Sequence, residues 1–132
     1  MSKLNMKEWI NEIIQKKEVV AMPIMTHPGI EMIGKTVRDA VTDGQVHYNA
    51  IKALSEKYPT AAATVIMDFT VEAEAFGAEI VFPENEVPSV VGRLLNDEEA
   101  IDKLEIPALN KGRIPQYLNC LLYTSPSPRD TR

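Results

Sequence analysis

AAATVIMDFTVEAEAFG, residues 61–77, is the stretch that decides the fold class. Its first seven residues are nearly all apolar and do not alternate with polar ones, which predicts a strand covered on both faces, as in a parallel sheet. Asp68 closes this strand. Residues 70–76 predict a short helix that begins with Thr70 as its N-cap and ends at Gly77. A buried strand that leads directly into a helix is typical of an α/β protein.

A second apolar run, residues 19–24, precedes this strand and also predicts a buried strand. Residues 4–16, before both runs, predict an amphipathic helix, because their isoleucines and their tryptophan fall on one face. Between the two runs, residues 30–41 predict short helical turns and residues 43–58 predict a longer helix. The order α-β-α-β-α, with a crossover of about 40 residues between the strands, needs a parallel sheet covered by helices.

The remaining residues predict a strand at Glu79–Phe82, a loop at Pro83–Pro88, and helices that begin within residues 97–104 and 112–118. Two architectures suit this order, an open doubly wound sheet or a (β/α)8 barrel. No G-x-G-x-x-G motif follows either predicted strand, which disfavours a dinucleotide-binding start.

The composition is that of an acidic globular protein. The chain has 132 residues, of which 45% are apolar and 25% charged, and its formal net charge is −5. These values fit one modest domain and argue against disorder. No apolar run approaches the ~20 residues of a membrane span, and the N-terminus lacks a secretory pattern. The chain has no basic run of the kind that binds nucleic acid. A single cysteine excludes a disulfide framework. We expect a cytoplasmic protein without nucleic-acid or membrane partners.

Chemically useful side chains follow the two predicted strands. Thr26 and His27 come after the first strand, and Asp68 comes after the second. Because the active sites of α/β proteins lie at the carboxyl ends of strands, we expect these residues to share one site. Asp68 would act there as a base or bind N–H and cationic groups. The structural alternatives are that Asp68 caps the turn after it and that His27 is an ordinary loop residue.

Other candidates have weaker signals. His47 lies in the middle of a predicted helix, and we expect it to be solvated or at the edge of the core. Glu72 and Glu74 are two residues apart on a short helix, so they face different ways and do not form an acid/base pair. No Ser-His-acid elbow, P-loop or paired metal motif is found.

The stretch MDFTVEAEAFGAEI, from Met67 to Ile80, resembles the uroporphyrinogen decarboxylase superfamily. It is most similar to the branch of methylcobamide:coenzyme M methyltransferases and related corrinoid-dependent methyltransferases, which carries a nearly identical TVEAEA-x-G-x-E-I string. The decarboxylases carry F-S-D-I-L-V-V-P-E-A-L-G at the same point. Aligning Gly77 with the family glycine places Asp68 on the family aspartate and Glu74 on the family glutamate.

The resemblance implies a (β/α)8 TIM barrel, of which this chain would be an incomplete, N-terminal part. It also implies methyl transfer between a methylcobamide and a thiol or related acceptor, with a corrinoid protein or a small-molecule thiol as partner. Asp68 would be the catalytic residue, and Thr26, His27 and Glu74 would line the pocket for substrate or corrinoid. That branch binds zinc through a His-x-Cys pair and a later Cys near the C-terminal half of the barrel. Those ligands would lie downstream, so no metal ligand is expected in this chain.

The resemblance leaves a tetrapyrrole decarboxylase as an alternative. In the decarboxylases the family aspartate contacts the pyrrole N–H groups, and an R-Q-A-G-R-Y motif supplies arginines for the substrate's carboxylates. The equivalent point here reads MTHPGIEMIG, residues 25–34, and no arginine occurs before Arg38. Since anionic groups favour a bidentate cation, this departure disfavours the decarboxylase. A short non-catalytic binding protein is the remaining alternative.

The string CLLYTSPSPRD, which begins at Cys120, breaks the α/β pattern. It equals the translation of a transposase-end adapter of sequencing libraries, and its SPSP core is typical of a loop. We therefore expect residues 120–132 to be a non-native disordered tail and residues 1–119 to be the N-terminal fragment of a longer protein. Such a fragment leaves strand edges uncovered, so we expect it to be inactive and prone to aggregation.

Overall fold

The computed structural model describes residues 5–17 and 19–124 of the chain. In chain order its elements are α1 (Met6–Lys16), α2 (His27–Met32), α3 (Val37–Thr42), α4 (Gly44–Lys57), α5 (Thr70–Ala75), β1 (Glu79–Val81), β2 (Ser89–Val91), α6 (Glu98–Asp102) and α7 (Ile114–Thr124). The predicted N-terminal helix is confirmed from residue 6 onward, while Leu4, where it was predicted to begin, lies outside the described residues. Within the described part of the chain, no helix combines the length and apolar character needed to span a bilayer.

Helix α4 is the centre of the packed core. Its apolar residues Ala50, Ile51 and Leu54 are buried, and the helix packs against α2, α3 and α7. The Asp43 side chain begins the helix by accepting a hydrogen bond from the backbone N–H of Gln45 at 2.8 Å. The main buried cluster consists of Ile30, Val37, Ala40, Val41, Ala50 and Ile66. The predicted helix over residues 43–58 is therefore confirmed, and it organises the helices around it.

Two glycines let neighbouring helices approach α4 closely. A side chain at Gly29 in α2 would collide with the backbone carbonyl oxygen of Ala50 in α4. A side chain at Gly44, the first residue of α4, would collide with the carbonyl oxygen of Gln116 in α7. The Gly44 amide also donates to the side-chain oxygen of Gln116 at 3.3 Å. Helices α2, α4 and α7 therefore meet through backbone contacts that only glycine permits.

The two apolar runs predicted as buried strands, residues 19–24 and 61–67, form no strand in the structure. They do lie side by side, since the Ala61 amide donates to the Ala21 carbonyl oxygen at 3.4 Å. Ile66 of the second run is buried among the helices, whereas most of the first run is exposed. The strand predictions are wrong for this chain, because a buried parallel ladder needs neighbouring strands at its edges and cover on both faces.

The one sheet among the described residues is an antiparallel hairpin. Strands β1 and β2 pair in a register that runs from Glu79–Val91 to Val81–Ser89. The predicted strand over Glu79–Phe82 is confirmed, whereas its partner strand was not predicted from the sequence. The hairpin packs against α5, which follows the second apolar run.

Helix α5 is the helix predicted over residues 70–76, but its first turn differs from the prediction. Phe69 occupies the N-cap position and makes no side-chain cap. Thr70 is therefore not the N-cap. Its own backbone N–H donates to the Asp68 carboxylate at 2.9 Å. The helix is followed by Gly77, whose φ of 101° suits the residue predicted to end it.

Helix α7 is the helix predicted to begin within residues 112–118, and it continues to Thr124. It includes the first five residues of the predicted disordered tail, and Cys120 is fully buried next to Gly44. The expectation of disorder is therefore wrong for residues 120–124, which are helical. The non-native origin of the segment stays a prediction, and residues 125–132 lie outside the described residues.

Replacing Gly29 by alanine is expected to separate α2 from α4, because the added methyl group has no space against the Ala50 carbonyl oxygen. Overpacking of this kind lowers the free energy of unfolding by about 1–3 kcal/mol. Urea unfolding at low micromolar concentration, followed by far-UV circular dichroism, measures the change. Glu31→Ala, at an exposed position of the same helix, is the control and should change the free energy by less than about 0.5 kcal/mol. Equal effects of the two substitutions would contradict the close approach.

Candidate functional site

A small cavity lies between the end of the first apolar run, with the residues that follow it, and the end of the second run. Residues 24–27 and 65–67 line most of this cavity, whose volume is about 150 Å³. Thr26 is buried, and its hydroxyl donates to the carbonyl oxygen of Thr64 at 3.2 Å. His27 is exposed at the first position of α2. The cavity thus brings together Thr26 and His27 in mostly apolar surroundings.

Asp68, the other part of the predicted site, does not line this cavity, and its side chain is fully buried. One carboxylate oxygen accepts hydrogen bonds from the backbone N–H of Thr70 at 2.9 Å and from its hydroxyl at 2.7 Å. The other oxygen accepts from the Tyr117 hydroxyl at 3.0 Å and from the Arg113 guanidinium. Asp68 therefore caps the turn that follows it, which is the structural alternative drawn from the sequence.

Arg113 is the centre of a buried polar group that we call the Arg113 cluster, formed with Asp68, Thr70, Glu74 and Tyr117. Its Nε donates to Glu74 at 2.6 Å, one terminal nitrogen binds Asp68, and the other donates to the Thr70 hydroxyl at 2.7 Å. Only 6% of the residue is exposed. Two carboxylates and one guanidinium give the cluster a net negative charge, and each of the three guanidinium nitrogens binds an oxygen of the cluster.

The ion pairs determine the ionisation of the cluster. Burial alone would raise the pKa of Asp68, but hydrogen bonds from Arg113 and Thr70 outweigh it and hold that pKa below its ordinary value. Burial would lower the pKa of Arg113, but its hydrogen bonds to Asp68 and Glu74 raise it instead. Burial, together with the Asp68 charge, raises the pKa of Tyr117. At neutral pH, Asp68 and Arg113 are therefore charged and Tyr117 is neutral.

His47 is buried, with 1% of the residue exposed, which corrects the expectation of a solvated or edge position. The reason is the packing of α7 over α4: the Tyr117 ring meets the imidazole edge to face, with centroids 5.4 Å apart. The backbone N–H of Ile66 donates to Nε2 of His47 at 2.9 Å. Burial lowers the pKa of His47 to about 4, although the Asp68 charge opposes the shift. The imidazole is thus neutral at neutral pH.

The structure brings together Asp68 and Glu74 of the predicted site and leaves Thr26 and His27 at the separate cavity. Glu72 is exposed, so it does face away from Glu74 as predicted. The sequence missed Arg113 and Tyr117, which follow Asp68 by 45 and 49 positions. No local pattern could pair residues so far apart. Among the described residues, no three His, Cys, Asp or Glu side chains are grouped to hold a metal ion.

Comparison with known proteins places this geometry in a family and a fold. The family model described as uroporphyrinogen decarboxylase (URO-D) matches residues 11–127. A solved structure of a methyltransferase from Methanosarcina mazei has a TM-score of 0.68 and 23% sequence identity, with 90% of this chain covered. The chain spans 37% of the length of that structure. No curated protein matches the chain. The fold is that of an incomplete (β/α)8 barrel, as the sequence predicts.

Replacing Arg113 by methionine is expected to lower the free energy of unfolding by about 3–5 kcal/mol, because it leaves the buried Asp68 and the partly buried Glu74 without their cation. Urea unfolding at low micromolar concentration measures the loss. Arg93→Met, at an exposed arginine, is the matched control and should cost less than about 0.5 kcal/mol. The double variant Arg113→Met, Asp68→Asn should be less damaging than the sum of its single changes. Additive effects would argue against a shared buried cluster.

Stability is expected to fall as the pH drops from 6.5 towards 4. Unfolded His47 takes up its proton near 6.5, whereas the folded protein resists protonation until about 4, so acid favours the unfolded state by up to about 3 kcal/mol. The lowered pKa of Asp68 adds a further loss below its ordinary value of 3.8. Thermal melts across this pH range measure the effect. His27→Gln should show the same fall, and a flat profile in the unaltered chain would contradict the prediction.

Proposed function

The chain belongs to the uroporphyrinogen decarboxylase family, and on this premise we propose that the protein of which it forms part is a corrinoid-dependent methyltransferase. The reaction moves a methyl group from a methylcobamide to a thiol or related acceptor. The acceptor sulfur forms the new bond to carbon with its own electron pair, its proton goes to solvent or a base, and the electron pair of the broken cobalt–carbon bond stays on the corrinoid.

The observation that carries this proposal is the TVEAEA string at residues 70–75, which lies within the region that the family model matches. This string resembles the methyltransferase branch more closely than the decarboxylase string. The similarity to the Methanosarcina mazei methyltransferase supports the fold alone at 23% identity. The chain spans 37% of that structure, so the activity of the whole protein is part of the proposal.

The charges around the cavity also favour the methyltransferase over the tetrapyrrole decarboxylase. The residues that line the cavity include no arginine or lysine. Arg113, the buried arginine of the described residues, is already bound by Asp68 and Glu74. A substrate with several carboxylates would find no free bidentate cation in this part of the site.

The cavity would accommodate only a small part of a corrinoid. Its volume of about 150 Å³ is below the roughly 300–1,000 Å³ of typical ligand pockets. Thr26 and His27 would line one side of the methyl-transfer pocket, beside apolar residues that suit a methyl group. Most contacts to the corrinoid would come from residues outside this chain.

The proposed roles of Asp68 and Glu74 are limited by their pairing with Arg113. A ligand would reach the Asp68 carboxylate only if Arg113 or Tyr117 gave up its hydrogen bond. Catalysis by Asp68 therefore stays a prediction, and Glu74 would act by holding Arg113. A zinc ion that binds the thiol would need ligands beyond the described residues, which contain no suitable group of three.

The direct test is to sequence the source DNA beyond codon 119 and to express the complete protein. We expect the reading frame to continue to the length of a barrel of ~250 residues or more. The complete protein, mixed with methylcobalamin and 2-mercaptoethanol, should lose the methylcobalamin absorbance and form the methyl thioether. Loss of carboxyl groups from uroporphyrinogen, without methyl transfer, would support the decarboxylase instead. A reading frame that ends with the CLLYTSPSPRD tail in genomic DNA would favour the short binding protein.

The chain by itself is expected to be inactive and to self-associate at high micromolar concentration. Large apolar side chains lie open to solvent along both apolar runs, including Ile24 at 66% and Met67 at 52% exposure. Size-exclusion chromatography across a concentration series measures the association. The double variant Ile24→Lys, Met67→Lys should reduce it, whereas Gln15→Lys, at an exposed position of α1, should not. A monomer at all concentrations would contradict the prediction.

A further inference from the structure

We infer that His47 is a positioning residue, whose neutral imidazole holds the backbone at Ile66 and thereby places the segment that carries Asp68. Ile66 belongs to the second apolar run, residues 61–67, which no strand ladder holds in place. Its backbone N–H donates to Nε2 of His47 at 2.9 Å, in the buried interior. A side chain of α4 thus binds a backbone group that a strand partner would otherwise bind.

The position of this hydrogen bond links it to the Arg113 cluster. Ile66 precedes Asp68 by two residues, so its backbone fixes where the chain turns towards α5. A second contact runs through Tyr117: its ring packs against the imidazole at an interplanar angle of 83°, and its hydroxyl donates to Asp68 at 3.0 Å. His47 therefore restrains Asp68 through the backbone on one side and through Tyr117 on the other.

The hydrogen bond requires one protonation state of the imidazole. Because Nε2 accepts from Ile66, it carries no hydrogen, and the proton of the neutral ring lies on Nδ1. An imidazolium would lose this acceptor and would direct a second N–H group at the Ile66 amide. Acid is therefore expected to release the segment before Asp68.

The ionisable groups around His47 do not offset this requirement. The Asp68 carboxylate is the charged group that acts on the imidazole, and Tyr117 in α7 contacts it as a neutral phenol. Arg113 faces Asp68 from the other side. Helices α2 and α3, which also pack against α4, carry His27, Glu31, Arg38 and Asp39, and none of these has a charge interaction with His47. The role of His47 thus depends on its own state and that of Asp68.

Hydrogen exchange read by mass spectrometry tests the inference on the whole chain at low micromolar concentration. His47→Leu removes the acceptor and keeps an apolar side chain, whereas His47→Gln keeps an acceptor that does not titrate. We expect backbone amides in peptides covering residues 61–68 to exchange at least about tenfold faster in the leucine variant. The glutamine variant should stay within about threefold of the unaltered chain, and peptides from α1 should not change. His27→Gln is the matched control for the other histidine.

The pH response gives a second readout, because the hydrogen bond from Ile66 requires the neutral imidazole. In the unaltered chain, the rate at which the carbon-bound hydrogen of the His47 imidazole exchanges should change with pH, with a midpoint near pH 4. The fall in melting temperature between pH 6.5 and about 4 should be largely lost in His47→Gln. If His47→Leu fails to fold, the glutamine variant and this titration still decide. Equal exchange in the leucine variant and the unaltered chain, loss of protection in the glutamine variant, or a His47 midpoint near 6.5 would each overturn the inference.

Only the link from Asp68 to a bound ligand rests on the proposed function. The exchange and titration measurements contain no methylcobamide or thiol acceptor. Failure of methyl transfer in the complete protein would therefore leave the His47 result standing, and failure of the His47 test would leave methyl transfer untouched.

Discussion

The guanidinium of Arg113 joins parts of the chain that lie far apart in sequence: Asp68 after the second apolar run, Glu74 in α5, and α7, which begins directly after the arginine itself. A buried cation needs carboxylates and hydrogen-bond acceptors around it, because its hydration is lost. Those acceptors are supplied by Asp68, Thr70 and Glu74. The turn after Asp68 and the position of α7 are consequently coupled, and neither can shift without exposing an unpaired charge.

Helix α4 supplies the other constraint on the same region. Glycines 29 and 44 let α2 and α7 rest on its backbone, and His47 reaches from it to the amide of Ile66. The helices bury Ile66 of the second apolar run, whereas most of the first run is exposed. A closed (β/α)8 barrel would cover both faces of its strands. The runs have the apolar composition of barrel strands, but here they have no neighbouring strands with which to form a ladder.

In the structure, the cavity and the Arg113 cluster are two separate regions, whereas the sequence predicts one shared site. The cavity next to Thr26 and His27 is apolar and open, whereas Asp68 and Glu74 belong to a closed, charge-paired cluster. In the methyltransferase that we propose, the cavity would face the transferred methyl group, and the Arg113 cluster would hold the neighbouring backbone in position. A carboxylate that accepts four hydrogen bonds serves first as a structural anchor, even where family resemblance assigns it to a reaction.

Local patterns in the sequence determined most of the helices and the strand at Glu79, because spacing of apolar residues and capping side chains act over a few positions. The TVEAEA string also identified the family. Tertiary structure alone decided the state of the two apolar runs, the burial of His47, and the pairing of Asp68 with Arg113 and Tyr117. Each of these depends on contacts between residues that are tens of positions apart, and whether a polar side chain is solvated or buried is settled only by which helix packs over it.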